Sequence, residues 1–314
     1  MRRFVPAIAI FLLSVTHAFG WGCEGHQIVA LIARAHLTPA ASAAVDELLQ
    51  SNPIDPTLKV FCQDLPAHLM ARHSTWADDT KNAEKTGTWH YIDIPLTANG
   101  PASLAPWCPP IGESVGGKDR PGCITNAIAY EWAILRDGSR PASERATALR
   151  YVIHFVGDIH QPLHDSDNND RGGNCTALTF YNQEKPVNLH ALWDYRIIER
   201  ELEDRKMKPA ALASELDARF SSHWADWGTA KPDPEAWAWE GNALAKSIVY
   251  GDLKPAIPIE KPNPQADCNT ERDKVAALHI SVSDAYVNQA LPVIDEQLTK
   301  AGYRLAGMLN ATFR

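Results

Sequence analysis

Two histidine–aspartate pairs, His154/Asp158 and His190/Asp194, are each spaced four residues apart in this 314-residue chain. On a helix that spacing stacks both side chains on one face. A fold that uses both pairs must therefore bring helical faces together. Imidazole nitrogen and carboxylate oxygen at this spacing suit zinc, which takes both in compact tetrahedral sites. The run from His154 continues to Gln161-Pro162-Leu163-His164, where Pro162 is expected to end the helix. His160 stands two residues past Asp158. It is turned about 200° from that face on a helix of roughly 3.6 residues per turn, and reads as a buried, hydrogen-bonded support.

The start of the chain carries a different signal. Arg2 and Arg3 precede an apolar run from Phe4 to Val15, and Ala18 and Gly20 supply small residues at a cleavage position. This is the pattern of a secretory signal peptide, too short for a membrane anchor. The expected mature chain, residues 21–314, starts at Trp21, has no membrane anchor, and is secreted or periplasmic. Losing Arg2 and Arg3 takes the formal charge from −8 to −10. So acidic a chain has no general attraction for nucleic acid, and phosphate binding needs a local positive source such as bound metal.

All six cysteines lie beyond residue 20, and an even count in an exported chain favours disulfides. Cys108–Cys123, closing a Pro/Gly-rich loop, is the first expected pair and Cys23–Cys62 the second. No Cys-x-x-Cys pattern occurs, so metals fall to His, Asp and backbone.

Apolar residues at three-and-four spacing predict helices over 27–35, 39–49, 124–135, 143–158 and 190–202. Helix starts are legible at Thr38-Pro39 and near Thr125. Leu291, Ile294, Leu298, Ala301, Leu305 and Leu309 form one core stripe at the end of the chain. The stretch 89–94 looks extended, and 95–121 and 253–268 read as long Pro-rich loops. The expectation is a single, monomeric all-α domain with minor short strands.

Among the histidines, His36, His68, His73, His223 and His279 have no ligand neighbour in sequence and read as structural or exposed. His26, His90, His154, His164 and His190 remain, beside Asp78, Asp93, Asp158 and Asp194. These exceed the needs of one zinc site. Three sites fit if one carboxylate bridges and the N-terminus contributes. After cleavage, the Trp21 amine, with a pKa near 8, can lose its proton to zinc and chelate together with its carbonyl. The alternative is an ordered apolar terminus.

In order along the chain, Trp21-Gly22 with Gly25-His26, Trp76-Ala77-Asp78, His90-Tyr91 with Asp93, the His154–His164 run, Gly172-Gly173-Asn174, and Asn188-Leu189-His190 with Trp193-Asp194 resemble the motifs of the three-zinc, single-strand-specific nucleases of the S1/P1 type (nuclease I). Residues 301–310 are similar to that family's last helix. The resemblance implies a mostly helical fold of the phospholipase C/nuclease type. It implies one zinc on Asp78, His90, His154 and Asp158. A close neighbour would sit on Trp21, His26 and the bridging Asp158, and a third ion on His164, His190 and Asp194. Such a pair activates water for attack on phosphorus, and the third ion stabilises the departing 3′-oxygen. The expected substrates are single-stranded RNA and DNA, cleaved to 5′-phosphates, with 3′-nucleotidase activity. Asp93 is the candidate for orienting or deprotonating the water, or else a carboxylate that supports a bound group. Tyr91 stands where the family stacks a base, and Asn174 where it reads the base edge. Lys81 replaces a phosphate-binding arginine of some relatives, keeping the charge without the bidentate fork.

Two other readings remain. A secreted zinc phospholipase C resembles this pattern but tends to end its last ligand pair in Glu, and Gly172-Gly173-Asn174 favours a nucleobase. A non-catalytic zinc-binding protein would explain the ligands but not Asp93, Tyr91 and Asn174 around them.

Overall fold

The helix start written at Thr38-Pro39 becomes a capped terminus in the computed structural model, while the start near Thr125 falls at Ile124 without a side-chain cap; the structure describes residues 21–314 apart from 64–65, 182–185, 254–255 and 277. The expected signal segment, residues 1–20, lies outside the described residues, as does part of the second Pro-rich loop. Helix α1 spans Cys23–Ala35 and α2 spans Pro39–Ser51, where the Thr38 side chain accepts from the Ala41 N–H at 3.2 Å. Short helices α3 (Leu69–His73) and α4 (Trp76–Glu84) follow, then α5 (Ile124–Arg136) and α6 (Ala142–Asp158). Beyond the site lie α7 (Leu189–Ala191), α8 (Ile197–Arg205), α9 (Pro209–Phe220), α10 (Trp224–Trp227), α11 (Pro234–Leu244), α12 (Cys268–Ala276) and α13 (Asp284–Thr312).

The core forms where α1 lies against α13 and α9, and α5 against α6. Of the C-terminal stripe, Ile294, Leu298, Ala301, Leu305 and Leu309 are fully buried, with Leu291 at its edge. Gly302 lets α1 and α13 approach closely, since a Cβ there would stand 2.6 Å from Ile32 Cγ2. Among the described residues there are three short strands: β1 (Ala177–Phe180) pairs antiparallel with β2 (Val187–Asn188) and parallel with β3 (Ser281–Val282). The disulfides are Cys23–Cys62, Cys108–Cys123 and Cys175–Cys268. The last ties the strand region to α12.

The structure departs from the sequence reading in three places. The stretch 89–94 is not extended throughout: residues Gly87–His90 form a 3-10 turn, and extension begins at Tyr91. The helix expected over 190–202 is interrupted by a π-helical turn at Leu192–Arg196. His36 and His73 also have partners that sequence distance concealed. His36 Nε2 lies 2.6 Å from Asp217 Oδ1, and Arg150 Nε donates to His73 Nδ1 at 2.9 Å.

Candidate metal centre

The last turn of α6 places His154 and Asp158 on one face, both fully buried. His154 Nδ1 donates to the Ser74 carbonyl at 2.7 Å, which turns Nε2 toward Asp158 Oδ2, 3.1 Å away. His90, last residue of the 3-10 turn, brings Nδ1 to 2.9 Å from Asp158 Oδ2, 3.1 Å from His154 Nε2 and 3.7 Å from Asp78 Oδ1. Asp78, from the first turn of α4, closes this group. Asp158 divides its two oxygens: Oδ1 faces His26 Nε2 of α1 at 3.2 Å. The His26 ring stacks on His154 at 4.0 Å. One carboxylate thus sits between two adjacent ligand groups.

A third group lies apart from these. His164 Nδ1 donates to the His90 carbonyl at 2.7 Å, and His190 Nδ1 to the Gly172 carbonyl at 2.6 Å. Both rings therefore turn Nε2 toward Asp194, at 3.7 Å and 3.2 Å. Asp194 stands inside the π-helical turn, a distortion that recurs at functional sites. Its backbone carbonyl accepts the Gly22 N–H at 2.9 Å, so the buried Trp21 is anchored beside the site. Gln161, which the sequence reading passed over, donates to Asp194 Oδ1 while its Oε1 holds the Leu163 N–H at 2.6 Å. Its only sequence signal was its place directly before Pro162. His160 is buried as expected, donating to the Val156 carbonyl and accepting from Arg304 Nη1, each at 2.7 Å.

Protonation differs between the groups. Burial lowers the His90 imidazole to about 4, and burial with the neighbouring His154 lowers His26, so both are neutral lone-pair donors. Burial opposes ionisation of Asp158, but the imidazoles of His154, His26 and His90 outweigh it and hold its carboxyl well below the usual range. Burial likewise opposes the His164 cation, yet the Asp194 and Asp158 carboxylates lift it to about 9. A metal there must displace that proton.

Among the described residues, His26/His154/Asp158, Asp78/His90/His154 and His164/His190/Asp194 each bring their ligand atoms within 4.8 Å of one another. His26 Nε2, His164 Nε2, His190 Nε2 and Asp158 Oδ1 are buried without a hydrogen-bond partner. Leaving such atoms unpartnered costs about 1–3 kcal/mol each, and coordination of a cation removes that cost. The donor set therefore fits metal ions. A cleft of about 1450 Å³ lies elsewhere, lined by α1 residues and by Arg196, Glu203, Lys206 and Lys208. None of the ligand groups faces it.

The remaining candidates surround this centre. Lys81 Nζ lies 3.0 Å from Asp78 Oδ1, buried at the first group. Tyr91 is exposed at 38 %. Burial pushes its hydroxyl up to about 12, helped by the Asp93 and Asp119 charges. Asp93 is open to water, yet crowding by protein pushes its carboxyl up to about 7, with Asp167 and Asp170 adding to the shift and Arg171 and His190 opposing it. Those neighbours place Asp93 on the third group's side. Asn174 is half-buried and donates to the Arg171 carbonyl at 2.9 Å.

The chain is similar to known proteins over nearly its whole length. The family model described as S1/P1 Nuclease matches residues 21–314. Endonuclease 2 of Arabidopsis thaliana is 30% identical over 98% of this chain and 95% of its own length. Nuclease S1 of Aspergillus oryzae is 29% identical over 99% of this chain and 98% of its own. Nuclease P1 of Penicillium citrinum is 26% identical over 92% and 97%, respectively.

Proposed function

Because the chain belongs to the S1/P1 nuclease family, we propose that it is a secreted or periplasmic three-zinc endonuclease that cleaves single-stranded RNA and DNA to 5′-phosphates and also hydrolyses nucleoside 3′-monophosphates. The supporting observation is the division of Asp158 between two adjacent ligand groups, with a third group of unpartnered imidazoles nearby. Asp78, His90, His154 and Asp158 would hold one zinc. His26, Asp158 and the amine and carbonyl of a processed Trp21 would hold the next, and His164, His190 and Asp194 the third. Zinc bound there supplies Lewis acidity toward phosphate oxygens and toward the attacking water.

The chain's own residues do the rest. The Ser74, His90 and Gly172 carbonyls accept from Nδ1 of His154, His164 and His190 in turn, and so turn Nε2 of each ring toward its carboxylate. Asp93, with its carboxyl near 7, exchanges a proton at its oxygen close to neutral pH. Lys81 keeps a cation at the first group for a phosphate oxygen. Tyr91 offers an exposed ring for a splayed base, which a stacked duplex cannot present, and Asn174, bonded to the Arg171 carbonyl, would read the base edge.

The test is an assay on single-stranded RNA and DNA, duplex DNA, a nucleoside 3′-monophosphate and phosphatidylcholine, before and after chelation. The expected result is chelator-sensitive cleavage of the single strands and the monophosphate, with the duplex spared. Turnover of phosphatidylcholine without cleavage of nucleic acid overturns the reading in favour of a phospholipase C. Bound zinc with no turnover at all favours a zinc-binding protein.

A further inference from the structure

Arg171 is exposed and holds φ at 56°, in the left-handed region that a side chain disfavours. Its neighbours over-determine that conformation. Asp167 Oδ1 accepts the N–H groups of Asp170, Arg171 and Gly172 at 3.1, 2.9 and 3.4 Å. Asn174 Nδ2 donates to the Arg171 carbonyl at 2.9 Å. The backbone of residues 92–96 is laced to residues 164–167: Ile92 N donates to His164 O at 2.7 Å, Asp167 N to Ile94 O at 3.0 Å, and Leu96 N to Asp167 O at 3.1 Å. Along this ribbon Ile92 and Ile94 turn inward while Tyr91 and Asp93 turn outward. Arg171 therefore emerges beside Tyr91 and Asp93, one residue before the Gly172 carbonyl that fixes His190.

Its guanidinium makes no hydrogen bond and no ion pair within 4 Å among the described residues. Lys81, by contrast, lies against Asp78. A guanidinium with no direct partner on a chain of net charge −8, held in a disfavoured backbone state beside a ligand group, fits an anion from outside. We infer that Arg171 is a specificity-determining residue that binds the 5′-phosphate of the nucleotide seated against Tyr91, so that polynucleotides are preferred over nucleoside 3′-monophosphates. This rests on the nuclease reading above. If the 3′-oxygen of the seated nucleotide departs at the metal centre, its 5′-phosphate points away from the ions and needs its own cation. A nucleoside 3′-monophosphate lacks that group. Arginine's planar fork matches it in two hydrogen bonds.

The experiment compares wild type, Arg171→Gly and Arg171→Lys on three substrates: a thymidine dinucleotide with a 5′-phosphate, the same dinucleotide without it, and thymidine 3′-monophosphate. Glycine keeps the left-handed backbone, so a structural role alone predicts no loss. Expected for Arg171→Gly is a KM raised about tenfold on the 5′-phosphorylated dinucleotide, with kcat within about twofold; one lost charge-assisted contact is of that order. The salt dependence of log KM should fall in slope by about 0.7. The KM of the other two substrates and the zinc content should be unchanged, any change in kcat through the Asp93 carboxyl being shared by all three substrates, and Arg171→Lys should restore most of the binding. Unchanged KM and salt slope on the 5′-phosphorylated dinucleotide, or an equal rise in KM on all three substrates, overturns the assignment. A wild-type protein that cleaves neither dinucleotide overturns the nuclease reading first.

Discussion

Gly172→Ala is expected to empty the third ligand group while sparing the other two. Gly172 holds φ at 59°, and a Cβ there would collide with the Leu163 carbonyl oxygen and stand 3.3 Å from the Ser166 carbonyl. Both obstacles are backbone, which cannot swing aside as a flexible side chain would. The left-handed conformation itself costs alanine about 1–2 kcal/mol. Displacing Gly172 also breaks the 2.6 Å hydrogen bond from His190 Nδ1, worth about 0.5–1.5 kcal/mol. Together these give a destabilisation of about 1.5–3.5 kcal/mol. Supports of this kind commonly set about 10–100-fold in metal affinity, and the collision with Leu163 pushes directly on the residue preceding His164. The assay is zinc per chain after dialysis against a graded chelator, read beside the thermal midpoint. The expected outcome is early loss of one zinc of three, the other two being retained as in wild type. Full retention of all three with unchanged chelator resistance would refute the claim that the Gly172 carbonyl sets the His190 ligand.

Asp158→Asn should cost both ions of the adjacent pair, since each group uses one of its oxygens; activity should fall by about a thousandfold or more, and a variant that keeps three zincs contradicts the bridging role. One alanine placed before Trp21 should lower zinc content from three toward two, because the terminal amine would no longer reach its ion; unchanged zinc and activity would show that Trp21 is only an apolar anchor. Glu131, exposed at only 5 %, has its carboxyl raised by burial from 4.5 to about 7, with the Arg120 charge opposing. The folded chain therefore keeps a proton that the unfolded chain releases between those values. The associated stability is complete below about pH 4.5 and is lost as pH rises through about 7, by about 3 kcal/mol in total. Glu131→Gln should abolish that fall, read as denaturant midpoints at pH 4.5 and pH 8. A wild-type midpoint that does not drop between those values counts against it.

Much of the centre could be read from spacing because its ligands sit on local, periodic structure. His154 and Asp158 are one helical turn apart on α6, and the chemistry of imidazole and carboxylate named a metal before any fold was known. The C-terminal stripe was legible for the same reason: a 3.6-residue period survives in the sequence whatever it packs against. His190 and Asp194 show the limit. Their spacing suggested a regular helix, but Asp194 stands in a π-helical turn whose carbonyl receives the Gly22 N–H. That contact spans nearly the whole distance between the first described residue and the third ligand group. Likewise, nothing near His36 in sequence announces Asp217, nor does anything near His73 announce Arg150.

The sequence by itself determined which residue types could bind metal, that the chain is mostly helical, where several helices begin and end, and which six cysteines were available to pair. Spacing alone could not apportion ligands, because helical periodicity says which side chains share a face and not which faces meet; the grouping came from the family resemblance. The tertiary structure brings His154 together with His90 and Asp78 while His164, ten residues later, turns away to His190 and Asp194. The physical reason is a set of backbone carbonyls from distant segments. Ser74, His90 and Gly172 each take one imidazole N–H, and so fix which ring nitrogen turns to which group.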